Sequence, residues 1–170
     1  ALLLAMFVVL GTRAGSFNFA DWILLPGASA HWRGAMFVLA LIGFGVKAGI
    51  YPLHVWLPEA HPAAPSHVSA LMSGVMLKVG VYALIRLIAL LGAPDAWWGW
   101  LMIAFGVISG ILGVLFAMAQ HDIKRLLAYH SVENIGIIFL GLGLGVLGWY
   151  YGQTLVMAAG LGGALLHVLN

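Results

Sequence analysis

The sequence predicts an all-α fold, a polytopic bundle of transmembrane helices. Three observations predict it. Of the 170 residues, 64% are hydrophobic and only 7% charged, against roughly 25% charged in a soluble domain, and the mean hydropathy is +1.08. Apolar runs long enough for a hydrocarbon core of about 30 Å recur along the chain. The breaks between them are short, with tryptophans and tyrosines crowded beside them, as at a membrane–water interface. No soluble interior could hide this much apolar surface, so lipid is the solvent and the bilayer the first partner.

The elements follow in order. The first is a stub, 1–11, whose opening ALLLAMFVVL has neither an initiator Met nor the basic flank of a signal peptide. We therefore read 1–170 as the interior fragment of one longer membrane domain. A polar and aromatic connection follows at 12–33, expected at the interface with Trp22 and Trp32 as anchors. Full spans are drawn at 34–57, 66–91, 97–119 and 126–148, and a last one at 151–170. PEAHPAAP, GAPDA and QHDIKR separate them. Trp97, Trp98, Trp100, Trp149, Tyr150 and Tyr151 stand where an aromatic belt would lie.

Loop 12–33 and the 92–96 turn share one side, and PEAHPAAP and QHDIKR the other. The few basic residues on each side do not orient the chain. GLGLGVLG (141–148) lacks the preceding strand and helix start of a dinucleotide site and reads as close helix packing.

Composition also excludes. A net charge of +2 is too small to argue for nucleic acid. Zero cysteines remove disulfides, thiolate-ligated clusters and Cys-type zinc sites. His31, His54, His61, His67, His121, His130 and His167 form no HExxH or other tight ligand pair, so no metal is expected. Nothing ligates iron, haem, flavin or nicotinamide, and no cofactor is expected.

Two lysines are the anomaly. At about 1.5 Å per residue, Lys47 lies about 20 Å in from Gly34 and Lys78 about 18 Å in from Ser66, both deep in their spans. A lysine at a span's centre costs about 2.5–3.5 kcal/mol, and each aliphatic returns about 0.3–0.6, so the helices insert despite the charge. A buried ion pair would explain them, but the backbone around Lys47 favours an ion pathway. Gly43, Gly45 and Gly49 surround it, and Pro52 lacks a donor and crowds the Ala48 carbonyl. A broken helix at membrane depth is tolerated only inside protein or beside water, where transporters place ion sites. Desolvation disfavours the ammonium and a nearby carboxylate restores it, so such a lysine can give up and regain a proton.

Other polar residues carry two readings each. His54, Glu59 and His61, with Pro52, are a satisfied turn at the interface or groups for proton access and gating. Asp122 is placed to cap the next helix. Lys124 and Arg125 are an interfacial basic pair, or Lys124 belongs to a relay. His130 and Glu133 share a helix face, and serve as relay groups or a subunit contact.

The run KAGIYPLHVWLPEAHPAAPSHVSALMSGVMLKVGVYALIRL (47–87), together with DIKRLLAYHS (122–131), resembles the proton-conducting antiporter-like family. Its members are the pumping membrane subunits of respiratory complex I, the multisubunit sodium/proton antiporters and the membrane subunits of related hydrogenases. AYHSVENIGII (128–138) is most similar to the large membrane subunit of formate hydrogenlyase and hydrogenase-4. The resemblance implies a fourteen-helix core of two inverted five-helix repeats, each with one discontinuous helix, here around 43–57. It implies a proton relay through Lys47, Lys78, Lys124 and His167, with a glutamate partner upstream of Ala1 and a terminal relay residue beyond Asn170. PEAHPAAP and QHDIKR would face the cytoplasm.

The implied function is a proton-translocating, multi-pass subunit in the cell's inner (cytoplasmic) membrane, itself without redox chemistry, in an oxidoreductase complex of NADH:quinone oxidoreductase or hydrogenase type. Its partners would be other membrane subunits and a peripheral redox arm, and it would move protons, or sodium. A subunit of a sodium/proton antiporter without redox coupling is the alternative, and a scaffold that has lost pumping a third.

Overall fold

The computed structural model describes residues 1–22 and 29–169; part of the 12–33 connection, 23–28, and the end of the last span, Asn170, lie outside them. The described residues form helices α1 (Leu2–Ala14), α2 (Ala30–Ala48), α3 (Leu57–Ala63), α4 (Ser66–Leu71), α5 (Leu77–Leu91), α6 (Ala96–Met118), α7 (Ile123–Tyr150) and α8 (Thr154–Leu169). A π-helical turn, Met72–Met76, joins α4 to α5. Ser66–Leu91, Ala96–Met118 and Ile123–Tyr150 are long and apolar enough to cross a membrane.

Local chemistry sets the ends. Ser29 caps α2 by accepting from Trp32 N, and Asp122 caps α7 by accepting from Lys124 N at 2.7 Å and Arg125 N at 3.0 Å. Pro65 favours an extended residue before it, and Ala64 there has φ −78°, ψ 146°. That ends α3 and opens the next rod.

The discontinuous helix is present, but it breaks earlier than Pro52 requires. Gly49 takes the left-handed conformation at φ 76°. Its N–H donates to Val46 O at 3.3 Å, and Ile50 N donates to Gly45 O at 3.1 Å. That pair of bonds is a Schellman stop. Lys47, expected deep in its span, therefore sits in the last turn of α2. Trp56 Nε1 reaches back to Val46 O at 2.8 Å. Ser109 on α6, fully buried, accepts from Tyr51 N at 2.9 Å. These contacts satisfy backbone groups that the break would leave bare in a medium without water.

The helices meet through small residues, as lipid requires when apolar contact offers no net gain over acyl chains. On α7, Gly136 and Gly143 touch the α6 backbone at Gly106, Gly110 and Gly99, while Gly141 and Gly145 face Gly160 and Leu161 of α8. The expected packing role of GLGLGVLG is what this geometry requires. Two aromatic assignments change. Trp22 is buried at 3% exposure, donates from Nε1 to Ser16 O and stacks on Phe7. Trp98 is wholly buried and stacked on Phe37 at 4.5 Å. Both are core rings rather than belt anchors, because each meets a facing aromatic on a neighbouring helix. Arg33 donates to Ala93 O at 2.7 Å, tying the 12–33 connection to the 92–96 turn on one side.

Candidate functional site

On the opposite side, the start of α7 clamps α3. Lys124 Nζ donates to Ala64 O at 2.8 Å and weakly to Pro62 O at 3.5 Å, the carbonyls at the C-terminal end of α3, where a cation is favoured. Arg125 pairs with Glu59 at 3.2 Å. That pair is well exposed and contributes little energy, but with Lys124 it fixes register. The Ser66–Leu91 rod and α7 thus start at one level and run parallel.

Between them lies a cavity of about 840 Å³. Its lining at the lower end includes His61, Ser69 and Lys124. His61 is buried to 1% exposure and shares a 2.6 Å hydrogen bond between Nδ1 and Ser69 Oγ. Seven residues along each rod, about 10 Å at 1.5 Å each, Ser73 and Ser131 meet with their hydroxyl oxygens 2.7 Å apart. At the far end Lys78 Nζ donates to Val168 O, and His167 Nε2 donates to Asn134 Oδ1 at 3.0 Å. His130 also lines the cavity, and its Nδ1–H donates to Glu133 Oε2 at 2.7 Å. A space this size lined by hydroxyls, imidazoles and two amines has room and partners for several waters.

The structure therefore joins Lys78, Lys124, His61, His130 and His167 around one space, with Glu133 attached through His130. It does not bring in Lys47, which is exposed among the described residues and is not part of the lining. His54 is buried, with its ring 5.2 Å from Tyr51 and 6.1 Å from Tyr129, outside the cavity wall. Glu59 and Pro52 face outward. Sequence reasoning passed over the hydroxyls. Ser66, Ser69 and Ser73 recur at i, i+3 and i+7, one face of a helix, and that stripe was a readable signal. Asn134 and Ser131 extend the polar wall from α7.

Comparison with known proteins agrees with this architecture. The chain is 50% identical over 173 residues to hydrogenase-4 component B of Escherichia coli (strain K12), covering 99% of this chain and 25% of that protein. It is 47% identical over 146 residues to formate hydrogenlyase subunit 3 of the same organism, covering 86% and 23%. It is 42% identical over 132 residues to NAD(P)H-quinone oxidoreductase chain 4 2 of Thermosynechococcus vestitus (strain NIES-2133 / IAM M-273 / BP-1), covering 76% and 22%. The chain thus spans about a quarter of the length of these curated relatives. In fold it is similar to a chain of the Mrp complex from Dietzia sp. DQ12-45-1b, with a TM-score of 0.74 at 24% identity, covering 98% of this chain and 33% of that one. The family model described as NADH:quinone oxidoreductase/Mrp antiporter, TM, matches residues 1–168. A multi-pass membrane chain, it belongs to that family.

Proposed function

We propose that this chain is part of a proton-translocating subunit of a redox-driven complex of hydrogenase or complex I type, in the inner (cytoplasmic) membrane. The observation that carries the reading is the cavity with Lys124 at one end and Lys78 at the other, inside helices fit to span lipid. Identity to a hydrogenase-4 component across nearly the whole chain supports the redox-driven class. Lys78, Lys124, His130 and His167 exchange protons with water in the cavity. His61 and Ser69 form its mouth beside α3, and Glu59 and Arg125 hold α3 in place. Lys47 acts from the helix break with a carboxylate outside residues 1–170. Other membrane subunits and a peripheral redox arm complete the complex.

The test uses the complete complex in proteoliposomes, with electron transfer started from outside and lumenal pH followed by a dye. We expect proton movement in sodium-free medium, abolished by a protonophore. Lys47→Ala should assemble and lose most of that movement; an alanine complex that pumps normally would remove Lys47 from the pathway. Exchange of protons for sodium without electron transfer would favour the antiporter reading instead.

Glu133 gives a smaller effect. In Glu133→Gln the charge-assisted bond from His130, worth about 1.5–3 kcal/mol, becomes a neutral one worth about 1. A loss of about 1 kcal/mol slows pumping about fivefold with assembly intact. Unchanged initial rates of lumenal pH change would exclude this role.

A further inference from the structure

Among the described residues, a side-chain hydrogen bond bridges the two parallel rods between the cavity's ends, that of Ser73 Oγ with Ser131 Oγ at 2.7 Å. Ser131 Oγ also donates to Leu127 O at 2.9 Å. A hydroxyl has a single proton to donate. Ser131 directs its own to the carbonyl, so it accepts from Ser73. The donor chain runs one way, from Ser73 to Ser131 to Leu127 O, and stops at an oxygen that has no proton to pass on. Ser73 stands in the π turn Met72–Met76, and such turns recur at functional sites. His130 and His61, the nearby imidazoles of the lining, are engaged with Glu133 and Ser69.

We propose that the Ser73–Ser131 hydroxyl pair is a gated proton link between the Lys124 and Lys78 ends of the cavity. It is closed while Ser131 donates to Leu127 O and open when that hydroxyl turns into the cavity. In the open state an arriving proton forms a new O–H bond at Ser73 Oγ. The original Ser73 O–H bond breaks and its proton passes to Ser131 Oγ, while Ser131 releases its own proton to cavity water. One proton enters and one leaves, both hydroxyls are regenerated, and rotation about each Cβ–Oγ bond resets them. The inference rests on the proposed function.

Ser131→Ala and Ser73→Ala remove one oxygen each without adding bulk, and the Ser131 bond to Leu127 O lies within one helix turn. In the complete complex in proteoliposomes, protons moved per electron should fall about tenfold in either variant. The double variant should be no worse than the singles, because a link broken once is broken. Ser131→Thr and Ser73→Thr, which restore the hydroxyl, should recover most of the ratio.

Alanine variants that assemble and keep the parental ratio would overturn the link while leaving the function standing. Alanine variants that fail to assemble while the threonine variants assemble without pumping would show a structural role and overturn it too. A parent complex that moves no protons during electron transfer would overturn the function, and the link with it.

Discussion

Replacing Lys78 with methionine is expected to stop proton movement almost completely while leaving the complex assembled. Methionine keeps the length and apolar stem of the side chain and removes the ammonium that donates to Val168 O and lines the cavity. A positioned proton-transfer group is worth about 10²–10⁴-fold, so the lumenal pH signal should drop by about a hundredfold or more. Assembly should survive because Lys78 is half-buried, and apart from its bond to Val168 O the buried residues nearby are Leu77, Gly80 and Val81. Lys78→Arg separates two roles. Arginine keeps the charge but does not release its proton in a protein. If Lys78 exchanges protons, arginine should be nearly as inactive as methionine; if it supplies only a field, arginine should pump. Methionine pumping at the parental rate would show that the cavity's far end has no part in transport.

The longest apolar helices were legible because lipid imposes a length and a composition that few other environments do. Runs drawn at 66–91 and 97–119 lie within a residue or so of the observed rods. The break was legible in kind, since glycines and prolines at membrane depth weaken a helix. It falls within the expected 43–57, but the residue that sets it was not evident, because Gly49 stops α2 through a backbone conformation before Pro52 can act.

The two lysines were conspicuous one at a time, as charges in oily runs. Which way each points depends on the azimuth of its helix against neighbours distant in sequence, and no periodicity reports that. Lys78 faces α7 and α8; Lys47 does not. Trp22 and Trp98 were misplaced for the same reason, since a ring near a span's end is a belt residue only if no other helix covers it. The serine stripe was readable from spacing alone, but hydroxyls in apolar helices commonly bond their own backbone. Among the described residues, it is the facing Ser131 that gives Ser73 a partner.

Gly136→Ala should cost most of the assembly, although it adds a single methyl group. An added Cβ would lie 2.6 Å from Gly110 N and 2.7 Å from Gly106 O. Both are backbone atoms of α6, so no side chain can rotate aside and the helices must part. Alanine's better helix propensity returns about 1 kcal/mol. Overpacking in a tight interior costs about 1–3 kcal/mol and occasionally more, and overlap with backbone belongs at the upper end. The clash wins.

Its consequence reaches beyond packing. The same added Cβ meets Ser109 Cβ at 3.0 Å, and Ser109 holds Tyr51 N at the break, so parting α6 from α7 also loosens the turn that carries Lys47. Most of the assembled complex should be lost on native gels, and any remainder should melt at lower temperature. Gly110→Ala is the matched control. Its own Cβ would meet nothing within 4 Å, so the same methyl group on the facing helix should leave assembly and melting unchanged. Equal behaviour of the two variants would show that the α6–α7 contact is not held by close backbone approach.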